Sequence, residues 1–418
     1  MTVVLGAREV RQSVAEATLP GVLRTAPTGF GWAASLVPGS AEAATLLSGL
    51  LFLAACLALV GCLTRVSLAV TTVLLAVVLA VPQQWGAGVH THHLLWFSAL
   101  LAAGPSGDAL SVDSWLRRRR GLPSPAASVA HGVPIRAAWI VIGLVYLFPG
   151  VWKLRAQGLH WALSSNLANQ LHWKWLEFGR LPVLRVDHWP GLLKAGGLAV
   201  LAFELGFLPM VLFRRTRPFA VGAALLFHLF SRVFFFIDFS SLWGCFTVFV
   251  PWSRWLHEPE ETRAFPARSV APALAVAGAI VAGQIATGVR GLEHGWPFAC
   301  YPSFRHDPGG RVPLLVVEEE AADGGWLESP RPFLAGATGQ RAWAAMWSVL
   351  QRPTPERLLA WWRLHRTERG LQPTAVRFFR ASADAAPEGW NESPRREALL
   401  AVFRLEGAAS GGVPAGSR

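Results

Sequence analysis

Apolar runs long enough to cross a ~30 Å hydrocarbon core recur through the first three quarters of the chain. The pattern predicts spans near Thr45–Leu63, Ser67–Pro82, His90–Leu110, Ile135–Lys153, Leu192–Phe213, Pro218–Phe236, Ser240–Val250 and Val270–Val289. A single soluble domain and most peripheral modes of membrane binding are excluded. The sequence therefore predicts an all-α polytopic transmembrane helix bundle over residues 45–289.

Residues 290–406 are more polar than the bundle, and their pattern predicts a small α+β extramembrane domain. Its expected elements are strands at Val312–Glu318 and Ala375–Ala381, helices at Thr338–Leu350 and Pro355–Arg369, and a strand or helix at Ala398–Leu405. The Gly/Ser-rich residues 407–418 are expected to be disordered. Residues 1–44 form a semi-polar segment in which Val3–Arg8 is typical of the end of a helix. We expect either that the true start lies upstream or that a first helix has been lost.

Composition strengthens the prediction of a membrane protein. Only 15% of residues are charged, 52% are hydrophobic, the mean hydropathy is +0.37, and 20 Trp stand against 2 Tyr. The net charge of +12 does not indicate nucleic-acid binding, because the basic runs lie between apolar spans. The four cysteines show no disulfide or metal-binding spacing.

The arginines set the expected orientation. The densest positive clusters are residues 117–120 and 214–217, both in short loops and separated by an even number of predicted spans. The positive-inside rule places both in the cytoplasm. The sequence thus predicts an inner-membrane protein whose Arg155–Pro190 loop and C-terminal domain face the periplasm.

Polar side chains inside a bilayer are costly, so the few in the spans are the candidate functional groups. They are His90, His92, His93, Lys153, Glu204, His228, Arg232 and Asp238. Each also has a structural interpretation. Lys153 closes a span as a snorkelling anchor would, and Glu204 would serve as half of a buried pair joining two helices. A metal site built from all three clustered histidines would need non-helical backbone, so no metal is predicted.

Several strings resemble the vitamin K-dependent γ-carboxylase-like proteins, also called the horizontally transferred transmembrane (HTTM) domain family. They are Thr91–Leu95 with Gly104–Gly107 and Leu110–Asp113, Tyr146–Leu154 with Trp161, Arg217–Pro218 with Phe227–His228 and Phe235–Ile237, Gly61–Arg65, and Trp296–Pro302. The resemblance covers roughly residues 1–305. It implies a membrane bundle with a quinol-dependent site.

In the carboxylase, as the resemblance implies, a lysine deprotonates the hydroquinone of vitamin K. Oxygen then converts the product to a strong base, which removes a γ-proton from glutamate so that CO2 can add. Lys153 matches the position of that lysine, and His92 matches a histidine that assists nearby. The resemblance thus implies Lys153 and His92 as catalytic residues and a menaquinol or vitamin K-type quinol as cofactor.

Three positions depart from the family pattern. Thr91 and Ser231 stand where the family has Asn, and Asp238 stands where Gly is expected. The external domain is also short for the substrate-docking region of the animal enzyme. These departures argue against peptide carboxylation.

The sequence accordingly predicts an outward-facing pocket that binds a quinol. Its catalytic residues would be Lys153 and His92, and its lining residues His93, Glu204, His228, Ser231 and Asp238. If the protein is an enzyme, a carboxylase-like lyase or a quinol-dependent oxidoreductase is expected. The alternative is a non-catalytic membrane module in which the bundle binds lipid or a protein partner and the periplasmic C-terminal domain does the recognition.

Overall fold

The structure is a computed structural model. It describes residues 10–405 apart from positions 11–12, 15, 18–19, 30–36, 38, 85–89, 123–124, 126–127, 253–266, 294, 322, 330–338 and 367–372. The predictions for Val3–Arg8 and for the 407–418 tail lie outside the described residues. The chain divides into two compact units. The first unit comprises Thr25–Ala168, Val186–Asp307 and the described part of Met1–Leu19. The second unit comprises Pro20–Arg24, Asn169–Arg185 and the described part of Pro308–Arg418.

The first unit is helical. Its helices are α1 (Ala41–Val60), α2 (Thr64–Val78), α3 (His92–Ala103), α4 (Val112–Arg119), α5 (Val129–Gln157), the beginning of α6 (Asn166–Phe178), α7 (Pro190–Leu212), α8 (Arg217–Phe234), α9 (Ser240–Cys245) and α10 (Ala267–Arg290). Short helices at Ala80–Gln83, His160–Leu163 and Phe246–Phe249 extend or connect them. The second unit holds the rest of α6, a helix that lies within the predicted Arg155–Pro190 loop.

Within the described residues, five helices are long and apolar enough to cross a membrane. They are Ala41–Val60, Thr64–Gln83, Val129–Gln157, Pro190–Leu212 and Val270–Arg290. The protein is therefore a multi-pass membrane protein. Helix α8 has 18 residues, which is close to the length of a span.

Two of the eight predicted spans form shorter helices. The apolar run from His90 yields only the 12 residues of α3, because Gly104 caps the helix and Pro105 follows it. At 1.5 Å per residue, α3 is about 18 Å long. The run from Ser240 yields Ser240–Phe249, which is shorter still. Neither crosses a ~30 Å core as a straight helix.

Helices α5 and α7 pack antiparallel through two glycines of α5. A Cβ atom on Gly143 would lie 2.3 Å from Cδ1 of Leu208, and one on Gly150 would lie 2.9 Å from Cβ of Glu204. Both distances are shorter than ordinary carbon contacts, so the backbones approach closely only because these positions lack side chains. This approach brings Glu204 against the last turns of α5.

Helix α10 runs parallel to α5. Ala277 belongs to the same hydrophobic cluster as Ala137 and Val141, and the Trp152 indole nitrogen donates a hydrogen bond to the Gly288 carbonyl at 2.7 Å. The chain therefore leaves α10 at the end of the bundle where α5 ends. We call this the pocket end. The opposite end carries the arginines at 117–120 and 214–217 and is called the basic end.

A carboxylate joins the loops at the basic end. Asp113, near the start of α4, accepts hydrogen bonds from the Leu63 backbone nitrogen at 2.9 Å and from the Thr64 backbone nitrogen and hydroxyl, both at 2.7 Å. Its own backbone nitrogen donates to the Gly61 carbonyl at 3.0 Å. Gly61 has φ +69°, and a Cβ there would lie 2.3 Å from Cβ of Ser111, so the turn requires glycine. Asp113 thus caps the start of α2, although it follows Thr64 by 49 residues in sequence.

The second unit contains an antiparallel sheet in the order β2-β1-β3-β4. The strands are β1 (Arg311–Glu320), β2 (Trp326–Glu328), β3 (Ala375–Asp384) and β4 (Arg395–Arg404), and the helices between them are α11 (Gly339–Gln351) and α12 (Pro355–His365). The predicted strands at 312–318 and 375–381 and the two helices are confirmed. The undecided segment at 398–405 is a strand. The three-residue β2 was not predicted.

Both helices pack on the sheet. The Leu315 backbone nitrogen contacts the Met346 sulfur at 3.4 Å, and the Trp362 indole donates to the Glu319 carboxylate at 2.6 Å. The small α+β domain predicted from the sequence is therefore confirmed.

Candidate functional site

The first unit contains a partly open pocket at the pocket end. Its empty space, open mouth included, is about 770 Å³. The lining residues are His90, His93, Trp96, Val141, Ile142, Val145, Tyr146, Pro149, Lys153, Glu204, Phe227, His228, Phe239, Leu242, Tyr301, Ser303 and Phe304. Most are apolar or aromatic, so the few polar groups would determine how a ligand is oriented.

A buried ion pair forms one side of this pocket. The Lys153 ammonium of α5 donates to Oε1 of Glu204 of α7, and both side chains are 4% exposed. Lys153 also lies 4.9 Å from the centre of the Trp161 ring. The other carboxylate oxygen, Oε2 of Glu204, is buried without a hydrogen-bond partner among the described residues. Snorkelling is excluded for Lys153 in this structure, because its ammonium points to a buried carboxylate.

A phenol and an imidazole form a second polar pair in the lining. The Tyr146 hydroxyl of α5 lies 2.5 Å from Nε2 of His228 of α8. The other ring nitrogen of His228, Nδ1, is buried and has no partner in the described part of the chain. Rings of Phe239 and Phe246 lie within 4.7 Å and 5.9 Å of the His228 ring, measured between centroids. His228 therefore carries an unsatisfied polar atom inside an aromatic environment.

His92 lies behind the pocket lining. It is 1% exposed, its Nε2 contacts the Gly295 carbonyl at 2.9 Å, and its Nδ1 contacts the Tyr301 hydroxyl at 2.6 Å. Its neighbour His93 does line the pocket, and Nε2 of His93 has no partner among the residues described. The predicted catalytic histidine is thus connected to the pocket through Tyr301.

Ser231 and Asp238 have local contacts outside the lining. The Ser231 hydroxyl donates to the Phe227 carbonyl in its own helix at 2.9 Å, and Asp238 Oδ1 accepts from the Ser240 backbone nitrogen at 2.9 Å. Asp238 thereby precedes and orients the start of α9. Thr91, the third departure from the family pattern, is buried with its hydroxyl unpartnered within the described ranges.

The sequence analysis missed Tyr301 and did not single out Tyr146 as a site residue. They are the two tyrosines of the chain, and both line the pocket. Their scarcity beside 20 Trp was the signal available in the sequence. Tyr301 and Phe304 also adopt positive φ values of 49° and 61°, conformations that cost of order 1–3 kcal/mol and are concentrated at functional sites. The pocket lining thus contains strained backbone.

Outside the spans, the environment of Asp113 also affects its ionisation. Partial burial raises the pKa of this carboxyl, but the hydrogen bonds from Thr64 and Leu63 outweigh burial and hold the pKa below its usual range. Among the described residues, no group of three or more His, Cys, Asp or Glu side chains is arranged to hold a metal ion.

A sequence model of the HTTM domain matches residues 25–253. The chain belongs to the HTTM domain family. The matched region contains the Asp113 loop contact, the Lys153–Glu204 pair and the Tyr146–His228 pair, whereas Tyr301 lies beyond it. Comparisons with curated proteins and with solved structures found no match.

Proposed function

We propose that this HTTM protein binds a menaquinol or vitamin K-type quinol in the pocket, with Lys153 as general base. The observation that carries the proposal is the buried Lys153–Glu204 pair beside an apolar, partly open cavity. We further propose that the basic end faces the cytoplasm and the pocket end the periplasm, because the arginine clusters would follow the positive-inside rule. The protein would then belong to the bacterial inner membrane.

The lining fits such a ligand. The aromatic and aliphatic walls suit a flat lipophilic ring, and Trp96, Phe227 and Phe239 are among them. Buried polar atoms without partners, Oε2 of Glu204 and Nδ1 of His228, would be satisfied by hydroxyl groups of the ligand. A bound quinol would supply two ionisable hydroxyls and two electrons.

The pair can act on a proton in a defined way. The Lys153 ammonium would first pass a proton along its hydrogen bond to Glu204, which leaves a neutral amine beside a neutral carboxyl group. The amine would then take up a proton from a bound hydroxyl, and the new ammonium would remain hydrogen-bonded to Glu204. The low polarity around the pair makes that contact strong. Lys153 would therefore hold the proton, and Glu204 would keep the Lys153 side chain in place.

The experiment combines ligand identification with substitution. Mass spectrometry of the detergent-solubilised full chain should detect a co-purifying menaquinone. Lys153→Arg should leave expression and membrane insertion unchanged but abolish quinol oxidation, because arginine, with a pKa above about 12, does not release its proton. Glu204→Gln serves as the comparison, because it keeps the amine but removes the carboxylate. If a correctly inserted Lys153→Arg protein still oxidised quinol, the general-base role would be refuted. If the wild type neither co-purified with a quinone nor bound one, the quinol site would be refuted.

A second candidate function is a non-catalytic module that binds lipid or a protein partner. The observation in its favour is the edge strand β4, on which Leu399 and Val402 are 56% and 51% exposed. An exposed edge with apolar side chains is able to pair with an added strand. A wild-type protein that neither binds nor oxidises quinol would favour this candidate.

A further inference from the structure

We propose that residues 110–122, which contain α4, lie in the headgroup layer of the membrane and bind anionic phospholipids through their arginines. We call these residues the interfacial segment. The inference goes beyond the quinol site, because the segment belongs to the basic end of the bundle. It rests on the level at which the fold holds the segment, on its exposed apolar side chains and on its exposed arginines.

Hydrogen bonds hold the beginning of the segment at the turn between two helices that are long enough to cross a membrane. The turn lies between α1 and the helix that begins at Thr64. The Asp113 carboxylate accepts from the backbone nitrogens of Leu63 and Thr64. The Asp113 backbone nitrogen donates to the Gly61 carbonyl at 3.0 Å. Because the hydrocarbon core has to end where a turn connects two consecutive spans, the beginning of α4 is at the level of the headgroups.

Apolar side chains of the interfacial segment are exposed. Leu110 is 88% exposed and Trp115 is 45% exposed. Leu116 and Leu122 are also exposed, and so is Leu63 in the neighbouring turn. Apolar side chains that adjoin arginines are typical of helices in the membrane interface, where leucine and tryptophan reach the boundary of the acyl chains. A bilayer would therefore bury side chains that the fold itself leaves exposed.

The arginines of the segment divide into one that the fold uses and three that it leaves exposed. The Arg117 guanidinium lies 3.8 Å from the Asp108 carboxylate. Residues 118–120 are all exposed arginines, and they form no ion pair with the described part of the chain. Cζ of Arg119 lies 4.1 Å from the centre of the Trp115 ring. An arginine beside an indole can bind a phosphate while the ring contacts acyl chains.

Charge and apolar exposure together favour a phospholipid as the partner. The segment contains four arginines and one acidic residue, Asp113, whose carboxylate is engaged by the neighbouring turn. A second copy of the segment would therefore be repelled. An acidic protein surface would pair with the arginines but would not bury the leucines at the edge of the bilayer. An anionic phospholipid provides phosphate oxygens for the guanidinium groups and acyl chains for the apolar side chains.

The first measurement compares the binding of two phospholipids. The full chain in detergent is titrated with dioleoylphosphatidylglycerol or with dioleoylphosphatidylcholine, and bound lipid is counted by native mass spectrometry. Each exposed arginine should strengthen binding of the anionic lipid about fivefold, so the three together should give about a hundredfold preference at low salt. The preference should shrink as salt is added, because salt screens the attraction between exposed charges.

A second measurement locates the binding. Hydrogen exchange of the full chain is followed by mass spectrometry in nanodiscs of phosphatidylcholine alone and of an equal mixture with phosphatidylglycerol. Backbone amides of residues 110–122 should exchange more slowly in the mixture, because bound headgroups would reduce local opening of α4. Inorganic phosphate added to the phosphatidylcholine nanodiscs should not slow the exchange, because it provides no apolar contacts.

Two charge-matched variants test the arginines. The first replaces the three exposed arginines of the segment by glutamine: Arg118→Gln, Arg119→Gln and Arg120→Gln. It should lose the preference for phosphatidylglycerol and the slowed exchange. The control removes three exposed arginines of the second unit: Arg363→Gln, Arg395→Gln and Arg404→Gln. It changes the net charge equally and should keep both effects.

Leu110→Asn tests the apolar part of the segment without loss of the fold. Leu110 has φ 50°, a conformation that asparagine adopts more readily than leucine. The melting temperature in detergent should therefore be maintained or rise. Binding of phosphatidylglycerol should nevertheless weaken at low and at high salt alike, because the contact that is lost is apolar.

The outcomes that would overturn the proposal differ for each part. Equal binding of both lipids by the wild type, or equal exchange of residues 110–122 in both nanodiscs, would overturn it as a whole. A preference retained in the arginine variant, or lost equally in the control, would overturn the role of residues 118–120. Unchanged binding by Leu110→Asn would overturn the interfacial position. Slowed exchange with inorganic phosphate alone would overturn the lipid and indicate an ion site.

Discussion

At the basic end of the bundle, Asp113 receives three hydrogen bonds from the Leu63–Thr64 turn, so both of its carboxylate oxygens have partners within the fold. At the pocket end, the carboxylate of Glu204 holds Lys153 with one oxygen and leaves the other buried and unpartnered within the described residues. Both carboxylates lie in the region matched by the family model. The difference shows that the basic-end carboxylate fixes loops, whereas the pocket-end carboxylate retains an unused oxygen, which the proposed ligand would occupy.

The largest effect is expected when the buried pair is broken. Glu204→Ala leaves the Lys153 ammonium, 4% exposed, without its carboxylate, and removal of one partner of a buried pair costs about 3–5 kcal/mol. The melting temperature in detergent should fall sharply. The double variant Lys153→Ala with Glu204→Ala should recover much of the loss, because no uncompensated charge remains. Additive losses in the double variant would show that the two side chains do not form a pair.

A second prediction concerns the close approach that positions Glu204. Gly150→Ala places a Cβ atom 2.9 Å from Cβ of Glu204, and overpacking of this kind costs about 1–3 kcal/mol. The melting temperature should fall and any quinone binding should weaken. Gly132→Ala is the matched control in the same helix, because its Cβ would meet nothing closer than 4.0 Å. Similar losses in both variants would point to a general effect of substituting glycines in α5.

Much of the fold follows from the apolar pattern, but helix length does not. Runs of apolar residues predicted the five long helices, since burial in lipid requires continuous apolar stretches. The apolar run beginning at His90 continues past Gly104 and Pro105 and predicts a span to Leu110, but this pair ends α3. Glycine followed by proline is a recognised helix-ending signal. The hydropathy of the whole segment predicts a longer helix than this signal allows.

The candidate site was predictable only in part. Lys153, Glu204 and His228 stood out because ionisable residues are rare in apolar spans, and the structure places all three around one pocket. Tyr301 did not stand out, because its partner His92 lies 209 positions earlier and its polar setting resembled an ordinary loop. No local pattern encodes a contact between residues so far apart in sequence.

At the basic end, Asp113→Asn should cause a moderate loss of stability. An amide keeps one accepting oxygen but presents NH2 where the Thr64 nitrogen and hydroxyl now donate, and loss of such a cap costs about 1–2 kcal/mol. Because folding lowers the pKa of Asp113, its contribution is present above the unfolded value of about 4 and is lost as pH falls through the lower, folded value. The wild type should lose stability in this acid window. Asp113→Asn should lose less there, and quinone binding at neutral pH should remain.

The smallest effect is expected for Asp108, five residues away from Asp113 in sequence. Its carboxylate lies 3.8 Å from Arg117 and 3.3 Å from His131, and it is 25% exposed. Exposed pairs of this kind contribute below about 1 kcal/mol and are screened by salt. Asp108→Asn should therefore lower the melting temperature slightly at low salt and not at all at high salt, whereas the loss in Asp113→Asn should persist at both, because it comes from hydrogen bonds to the backbone. If Asp108→Asn and Asp113→Asn lowered the melting temperature equally and with the same dependence on salt, the basic end would be stabilised by its charges. The contrast between the hydrogen-bonded Asp113 carboxylate and the Glu204 carboxylate, which has an unpartnered oxygen within the described residues, would then no longer hold.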